Sequence, residues 1–384
     1  MGKTLPHAKA EVIKSASLCD YYYSSAESIL QPKIEIIEQG SQITSFYEPL
    51  GIVLGIFPWN FPYWQILRSA IPTIVSGNAM LVKPAPNVPK SSLLLQQILV
   101  QTELPKNLFV TAFFNEEQIA KLISHKAISA VTLTGSEKAG SIVASLAAKE
   151  IKPAVLELGG SDPLILFADA PLEKIIDQIV FSRFQNNGQS CVAAKRFLVE
   201  EKIADKFLDL LIQKISQFKL GDPIEEGTDI GPLARKDLKD LLLNQVKDSL
   251  NSGAKIAYQQ KDIPAIGYFF PPTILTDIPK DCRAYEEELF GPVLSLYTFT
   301  SDEDAIEIAN DTKFGLGASI FTNDLERANK MAADIESGMV YINQIVKSDV
   351  QIPFGGSKHS GFGRELGPEG LKAFCQVKTV WQKL

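Results

Sequence analysis

Histidine and cysteine are scarce in this chain of 384 residues, at three and four. His7, His125 and His359 lie far apart, as do Cys19, Cys191, Cys282 and Cys375. They form no CxxC pair and no zinc-ligand spacing, so neither a metal site nor a disulfide framework is expected. No apolar run is long enough to cross a bilayer, and the opening MGKTLPHAKAEVIKSASLCD has no apolar stretch of the kind a secretory signal needs. Positive charge is not in excess either. A net charge of -7 offers no basic surface to nucleic acid, although one local cation would still serve an anionic ligand. No segment repeats and none is of low complexity. The expectation is a cytoplasmic protein with reduced thiols and no nucleic-acid or membrane partner.

What is present is ordinary globular material, 45% hydrophobic and 22% charged, and long enough for two cores. GIVLGI (51–56), AMLVKP (79–84), LFVTAFF (108–114), AVTLTG (130–135) and AVLELGG (154–160) read as buried strands. Helical segments separate them: one beginning at Pro62 and stopped by Gly77, one opened by Pro89, and a short one over 116–124. This alternation predicts a doubly wound α/β sheet, which binds nucleotides beyond the carboxyl ends of its strands. A second α/β alternation follows. It runs through PLILF, a helix over about 171–187, FLVE, helices to about 252, and strands in YFFPPTIL, VLSLYTF, ASIFT and MVYIN. Residues 33–49 alternate like an exposed hairpin, and FCQVKTVW (374–381) reads as one more strand. Exposed edges of that kind favour an oligomer.

Three residues stand out chemically. Cys191 follows a Gly-Gln-Ser turn in NNGQSCVAAKR; a helix starting there would favour its thiolate, whereas the plainer reading is an inert core cysteine. Glu157 is a carboxylate among apolar residues at a strand end, VLELGG. Burial would raise its pKa toward that of a general base; the plainer reading is a solvated strand end. Asn60, in FPWNFP, is an amide held between prolines and aromatics. It suits an oxyanion site or simply a turn. GSEKAG (135–140) and KPAP (83–86) follow strands, and EEELFGPV (286–293) and PFGGSKHSGFGRELG (353–367) are glycine-rich loops.

In order along the chain, PWNF (58–61), KPA (83–85), TGS (134–136), LELGG (156–160), the GQxC motif at 188–191, EEELFGPV, NDTKFGLGAS (310–319) and PFGGSKHSGFGRE resemble the aldehyde dehydrogenase superfamily. The 34 residues from Glu157 to Cys191 match as well. The resemblance implies a Rossmann-like NAD(P)-binding domain (1–32 and 50–158) and a catalytic domain (159–345). It adds oligomerisation strands (33–49 and 374–384) and a return segment (346–373). It also implies that Cys191 attacks an aldehyde, that Asn60 and the Cys191 N–H hold the oxyanion, that hydride passes to the nicotinamide, and that Glu157 activates water to free the acid from a thioester.

The same carry-over places Lys83 at the adenosine ribose, Ser136 at a phosphate, and Glu288 and Phe290 at the nicotinamide ribose. Ile56, Pro58, Trp59, Ala85, Pro86, Gly135, Leu158 and Gly159 line the cofactor. Pro86 replaces a glutamate of many NAD-preferring members, which leaves NAD or NADP open. LELGGSDP and QNNGQSCVAAKRF look closest to bacterial succinate-semialdehyde dehydrogenases. Arg68 is then the expected holder of a substrate carboxylate, in fork geometry, and Gln185 a neighbour standing where some relatives carry arginine. Met1-Gly2-Lys3 resembles an internal family segment, so the outer cofactor domain is expected to be shortened. A homo-oligomer, dimer or tetramer, is implied. The alternatives are an aldehyde dehydrogenase of another substrate range, a thiol esterase, or a catalytically impaired binding homologue.

Overall fold

A computed structural model describes residues 1–38 and 40–383, with the side chains of residues 35–38 left aside. Of the hairpin and tail expected at 33–49 and 374–384, Gln39 and Leu384 therefore lie outside the described residues. The chain divides into two compact units.

The first unit comprises Ala10–Leu158, Ser348–Gly355 and Gly361–Leu384. Its main sheet has six strands in the order Gly361–Phe362, Ala154–Glu157, Ile128–Thr134, Ile52–Ile56, Ala79–Lys83, Phe109–Thr111. All neighbours are parallel except Gly361–Phe362, which runs against Ala154–Glu157. Chain order runs outward in both directions from Ile52–Ile56, so the topological switch lies between that strand and Ile128–Thr134. Leu54, Val131, Leu133 and Leu156 of the sheet pack with Ile123, Val143 and Ala147 of the helices. The expected strand over 154–160 ends at Glu157, because Gly159 and Gly160 leave the ladder. A separate antiparallel sheet orders Lys33–Glu38, Ser41–Pro49 and Cys375–Lys383, pairing Tyr47 with Val377.

The second unit comprises Met1–Lys9, Gly159–Lys347 and Gly356–Ser360. Its seven strands run in the order Lys255–Gln259, Thr273–Thr276, Val293–Phe299, Arg196–Glu200, Pro163–Leu166, Gly317–Phe321, Met339–Ile342. Only the pair at the Lys255–Gln259 edge is antiparallel. Leu164, Phe197, Leu294, Phe207 and Leu211 form part of its core. The expectation that residues 1–32 belong with the dinucleotide unit needs correcting for the first nine. Leu5 donates its N–H to Pro223 O, and Asn187 Nδ2 donates to Gly2 O, so Met1–Lys9 belongs to the second unit. Gly356–Ser360 joins the same unit through Ser360 Oγ on Gly159 O and the Phe314–Lys358 pairing.

One long helix, Leu5–Leu30, went unread in the sequence. Its buried residues in the first unit, Glu11, Ser15, Leu18, Tyr22 and Ala26, keep helical spacing, but two are polar and blur the apolar period. Glu11 has a specific task. Its carboxylate accepts from the N–H groups of Tyr63 (2.8 Å) and Trp64 (3.0 Å), where the helix Trp64–Val75 begins. The helix thus starts two residues after Pro62, with a capping acid supplied from a distant helix rather than by its own N-cap. Removing this acid leaves buried donors unsatisfied. Glu11→Ala is expected to lower stability by about 1–3 kcal/mol, and Glu11→Gln by less. Urea unfolding of the variants checks this; an unchanged midpoint would remove Glu11 as the cap.

Candidate active site

The helix Leu172–Phe184 gives way to a tight turn, Gln185–Gly188, in which Asn186, Asn187 and Gly188 all have positive φ (54°, 59° and 71°). Three left-handed residues in succession are costly unless the surroundings fix them. Asn187 is fixed at both ends of its amide, donating to Gly2 O and accepting from Gly231 N. At Gly188 a Cβ would lie 2.4 Å from the carbonyl of Gly291, so only glycine lets the two loops meet. Gln189 Oε1 accepts from Ala234 N at 3.0 Å. The turn delivers Cys191 as a half-buried cysteine outside any disulfide. The helix that would favour its thiolate does not start at Cys191: a turn follows, and then the strand Arg196–Glu200.

Buried cations brace the loops of this unit. Lys195 Nζ lies 2.8 Å from Ser190 O, 2.7 Å from Cys191 O and 3.0 Å from Glu288 Oε1. Glu288 Oε1 also accepts from Gly160 N at 3.2 Å, and a Cβ on Gly159 would lie 2.6 Å from Glu288 Oε2. The two glycines of LELGG therefore let this carboxylate approach the backbone. Arg183 donates to the carbonyls of Leu289, Gly291 and Val293, which shapes the loop carrying Glu288 and half-buried Phe290. Asp162 is fully buried beside Lys195, and burial pushes its carboxyl up to about 7 against the pull of that lysine. Gln185 turns its amide back on its own helix, 3.4 Å from Ser182 O.

In the first unit, Asn60 is buried in the turn that precedes the helix Trp64–Val75. Arg68, on that helix, is 2% exposed. Its Nε ion-pairs with Glu365, its guanidinium stacks over Phe354, and Nη2 lies 3.4 Å from Thr134 Oγ1. Arg68 is therefore the counter-ion of a buried carboxylate. Glu157 ends its strand at 2% exposure, and no donor among the described residues hydrogen-bonds either of its oxygens. Gly355 passes close over it; a Cβ there would lie 2.7 Å from Oε1. Burial first, and then the Glu365 charge, hold the Glu157 carboxyl well above the usual carboxylate range, with Arg68 and Arg364 pulling the other way. Burial raises Glu365 as well, against the pull of Arg68. Glu365 is the functional candidate the sequence reading missed. Only its neighbours in GFGREL hinted at it.

A cleft of about 560 Å³ opens at the sheet's switch point. Ile56, Lys83 and Leu133, from the carboxyl ends of three strands, line it with Phe114, Ile119, Ile142, Val143 and Leu146. Asn115, Glu116, Ser136, Lys138 and Ala139 complete the lining. The apolar wall suits a purine face, and Lys83, Lys138 and Ser136 suit ribose and phosphate, so these residues fit the adenosine half of a dinucleotide. Ser136 caps the helix Glu137–Lys149, and a Cβ at Gly140 would strike Leu158, which fixes this helix close to the sheet. Of the expected cofactor residues, Ile56, Lys83 and Ser136 line the cleft, whereas Pro58, Trp59, Ala85, Pro86, Gly135 and Leu158 do not. Gly159, Glu288 and Phe290 belong to the second unit. The lining helix residues were not recognised from sequence, because they read as ordinary core.

The raised Glu157 carboxyl carries a stability consequence. A folded-state pKa above the unfolded one means stability that is present at low pH and lost as pH rises through the folded value. Glu157→Gln has no proton to lose at that site. Its Tm is expected to match the parent at about pH 5 and to exceed it at about pH 9. A constant Tm difference between the two pH values would show that Glu157 is not held neutral.

The aldehyde dehydrogenase family profile matches residues 1–380. The chain is 44% identical to succinate-semialdehyde dehydrogenase [NADP(+)] of Mycobacterium avium, over 99% of this chain and 81% of that protein. Among solved structures it superposes on succinic semialdehyde dehydrogenase from Streptococcus pyogenes in complex with NADP+ (TM-score 0.97, 37% identity, 100% of this chain and 84% of that one). It also superposes on betaine aldehyde dehydrogenase from Staphylococcus aureus in complex with NAD+ (TM-score 0.93, 29% identity, 99% and 76%). No helix among the described residues is long and apolar enough to cross a membrane. Fold, ordered motifs and similarity along the whole chain agree, and the chain belongs to the aldehyde dehydrogenase family.

Proposed function

We propose that this protein oxidises succinate semialdehyde to succinate with NADP or NAD, using Cys191 as nucleophile, Glu157 as base and Asn60 as oxyanion donor. The observation that carries the reading is Glu157: a buried carboxyl without a hydrogen-bond donor, held above the carboxylate range, is costly to keep without a proton-transfer task. The Cys191 thiolate forms a C–S bond to the aldehyde carbon. The carbonyl oxygen becomes an oxyanion, which the Asn60 amide and the Cys191 N–H stabilise. When bound, the dinucleotide supplies the hydride acceptor. Lys83 and Ser136 would hold its adenosine half, and Glu288 and Phe290 its nicotinamide ribose. Cys191 then carries a thioester. Glu157, once ionised, takes a proton from water; the water oxygen attacks the thioester carbon, the C–S bond breaks and the thiolate is restored.

The supporting relatives are named for NADP(+) and succinate semialdehyde. The resemblance assigns the substrate carboxylate to Arg68, which would require the buried guanidinium to share its charge between that group and Glu365. Exposed Val377, Val380 and Trp381 on the strand Cys375–Lys383 support a homo-oligomer, and the small number of scattered cysteines, none in a disulfide among the described residues, a cytoplasmic one.

Stopped-flow absorbance of reduced dinucleotide with succinate semialdehyde tests the chemistry. Glu157→Gln is expected to give one burst and then stall, and Cys191→Ala no burst and less than about a thousandth of the parent rate. Steady turnover in either variant would end the assignment. Arg68→Met is expected to raise KM for succinate semialdehyde about tenfold more than for an uncharged aldehyde of similar length. Equal effects on the two would leave Arg68 only its role beside Glu365.

A further inference from the structure

Lys195 has no task in the chemistry above, yet it is the most completely used cation near the nucleophile. Its side chain is 2% exposed. An ammonium has three N–H donors and no acceptor. Here three oxygens surround it, Ser190 O, Cys191 O and Glu288 Oε1, at 2.7–3.0 Å. Two of these acceptors are the carbonyls on either side of the Cys191 N–H. The third belongs to a carboxylate that is 18% exposed and therefore reachable from outside. The buried lysine thus has two fixed partners in the nucleophile's loop and one partner open to exchange.

We propose that Lys195 is a positioning residue that couples the Glu288 carboxylate to the backbone of Cys191, so that a ligand engaging Glu288 changes the reactivity of the thiol. The proposal rests on the reading of Cys191 as nucleophile and Glu288 as a ribose-binding carboxylate. Ribose hydroxyls donate to a carboxylate, and each bond they form takes acceptor capacity away from the Lys195 ammonium. A buried ammonium cannot leave a donor unmade without a large cost, so it draws harder on the two remaining carbonyls. Those carbonyls set the direction of the peptide planes at Ser190 and Cys191. By linkage, the same coupling makes the state of the Cys191 loop felt at Glu288. The glycine pair contributes here: Gly160 N–H shares the same carboxylate oxygen, and Gly159 leaves room for the other. A ligand donating to Oε1 therefore competes with a defined set of bonds.

The test needs no turnover. Iodoacetamide alkylation of Cys191 in the full chain, followed by mass spectrometry of its peptide, is measured with and without saturating NADP+, and again with NAD+. Dinucleotide binding is followed separately by fluorescence titration. In the parent, the dinucleotide is expected to change the alkylation rate by about fivefold or more. In Lys195→Met, binding persists but that change falls below about twofold, and Lys195→Arg recovers part of it. Glu288→Gln, which weakens the link from its exposed end, gives the same loss should Lys195→Met not fold. Retention of the full dinucleotide effect in Lys195→Met or Glu288→Gln would overturn the coupling while leaving the dehydrogenase reading intact. A parent that binds dinucleotide without any change at Cys191 would do the same. Failure of both dinucleotides to bind the parent would overturn both readings.

Discussion

Backbone carbonyls in loops and at the ends of strands and helices must find donors, and in the second unit long buried cations supply them. Arg183 holds the carbonyls of Leu289, Gly291 and Val293. Arg196 holds Ser161 O, Ile308 O and Ala309 O at 2.7–2.8 Å. Lys195 holds those of Ser190 and Cys191. Each cation would be prohibitively expensive to bury alone, and each loop would leave carbonyls unsatisfied without it. Together the two deficits cancel. This explains how a nucleophile can stand on irregular backbone and still be held rigidly. It also explains why glycines gather around it. Gly188 and Gly160 are places where one loop must touch another without a side chain between them.

The first unit solves the opposite problem. There the buried groups are acids, Glu157 and Glu365, with Arg68 as the near cation. Arg68 and Arg364 oppose the shift at Glu157, yet burial and the charge of Glu365 outweigh them and hold its carboxyl well above the usual carboxylate range, while burial raises Glu365 against the pull of Arg68. The ion pair between Arg68 and Glu365 marks Glu365 as the acid of the pair that ionises more readily. A base whose carboxyl is raised in this way works best when something shifts its balance during the reaction, such as a polar substrate or an arriving water.

Much of this was legible in the sequence, and what was hidden was hidden for physical reasons. The strands showed because buried parallel strands are continuous apolar runs, as in GIVLGI and AVTLTG. Glu157 and Asn60 showed because each is a polar residue in surroundings that do not suit one. The helix Leu5–Leu30 did not show, because Glu11 and Ser15 occupy positions on its buried face that periodicity expects to be apolar. The strand Lys255–Gln259 is a half-exposed edge with only a weak alternation. Lys195 and Arg196 look in AAKRF like a solvated pair, yet both are among the most deeply buried side chains of the molecule. A charge's burial is decided by carbonyls that arrive from elsewhere in the chain, and no local window contains them. Glu365 is hidden in the same way. Its partner Arg68 lies almost three hundred residues earlier, and only the fold brings the two together.

The two arrangements place different demands on evolution and on design. An apolar core residue can be exchanged for another of similar volume at modest cost, but a buried charge cannot be changed without its partner. Lys195 cannot become apolar without stranding the Ser190 and Cys191 carbonyls and the Glu288 carboxylate at once. Arg68 cannot be lost without adding a second unbalanced acid beside Glu157. Stability and chemistry therefore draw on the same few side chains here. A substitution that relaxes the electrostatic cost around Glu157 makes the protein more robust only by removing the condition that suits this carboxyl to proton transfer.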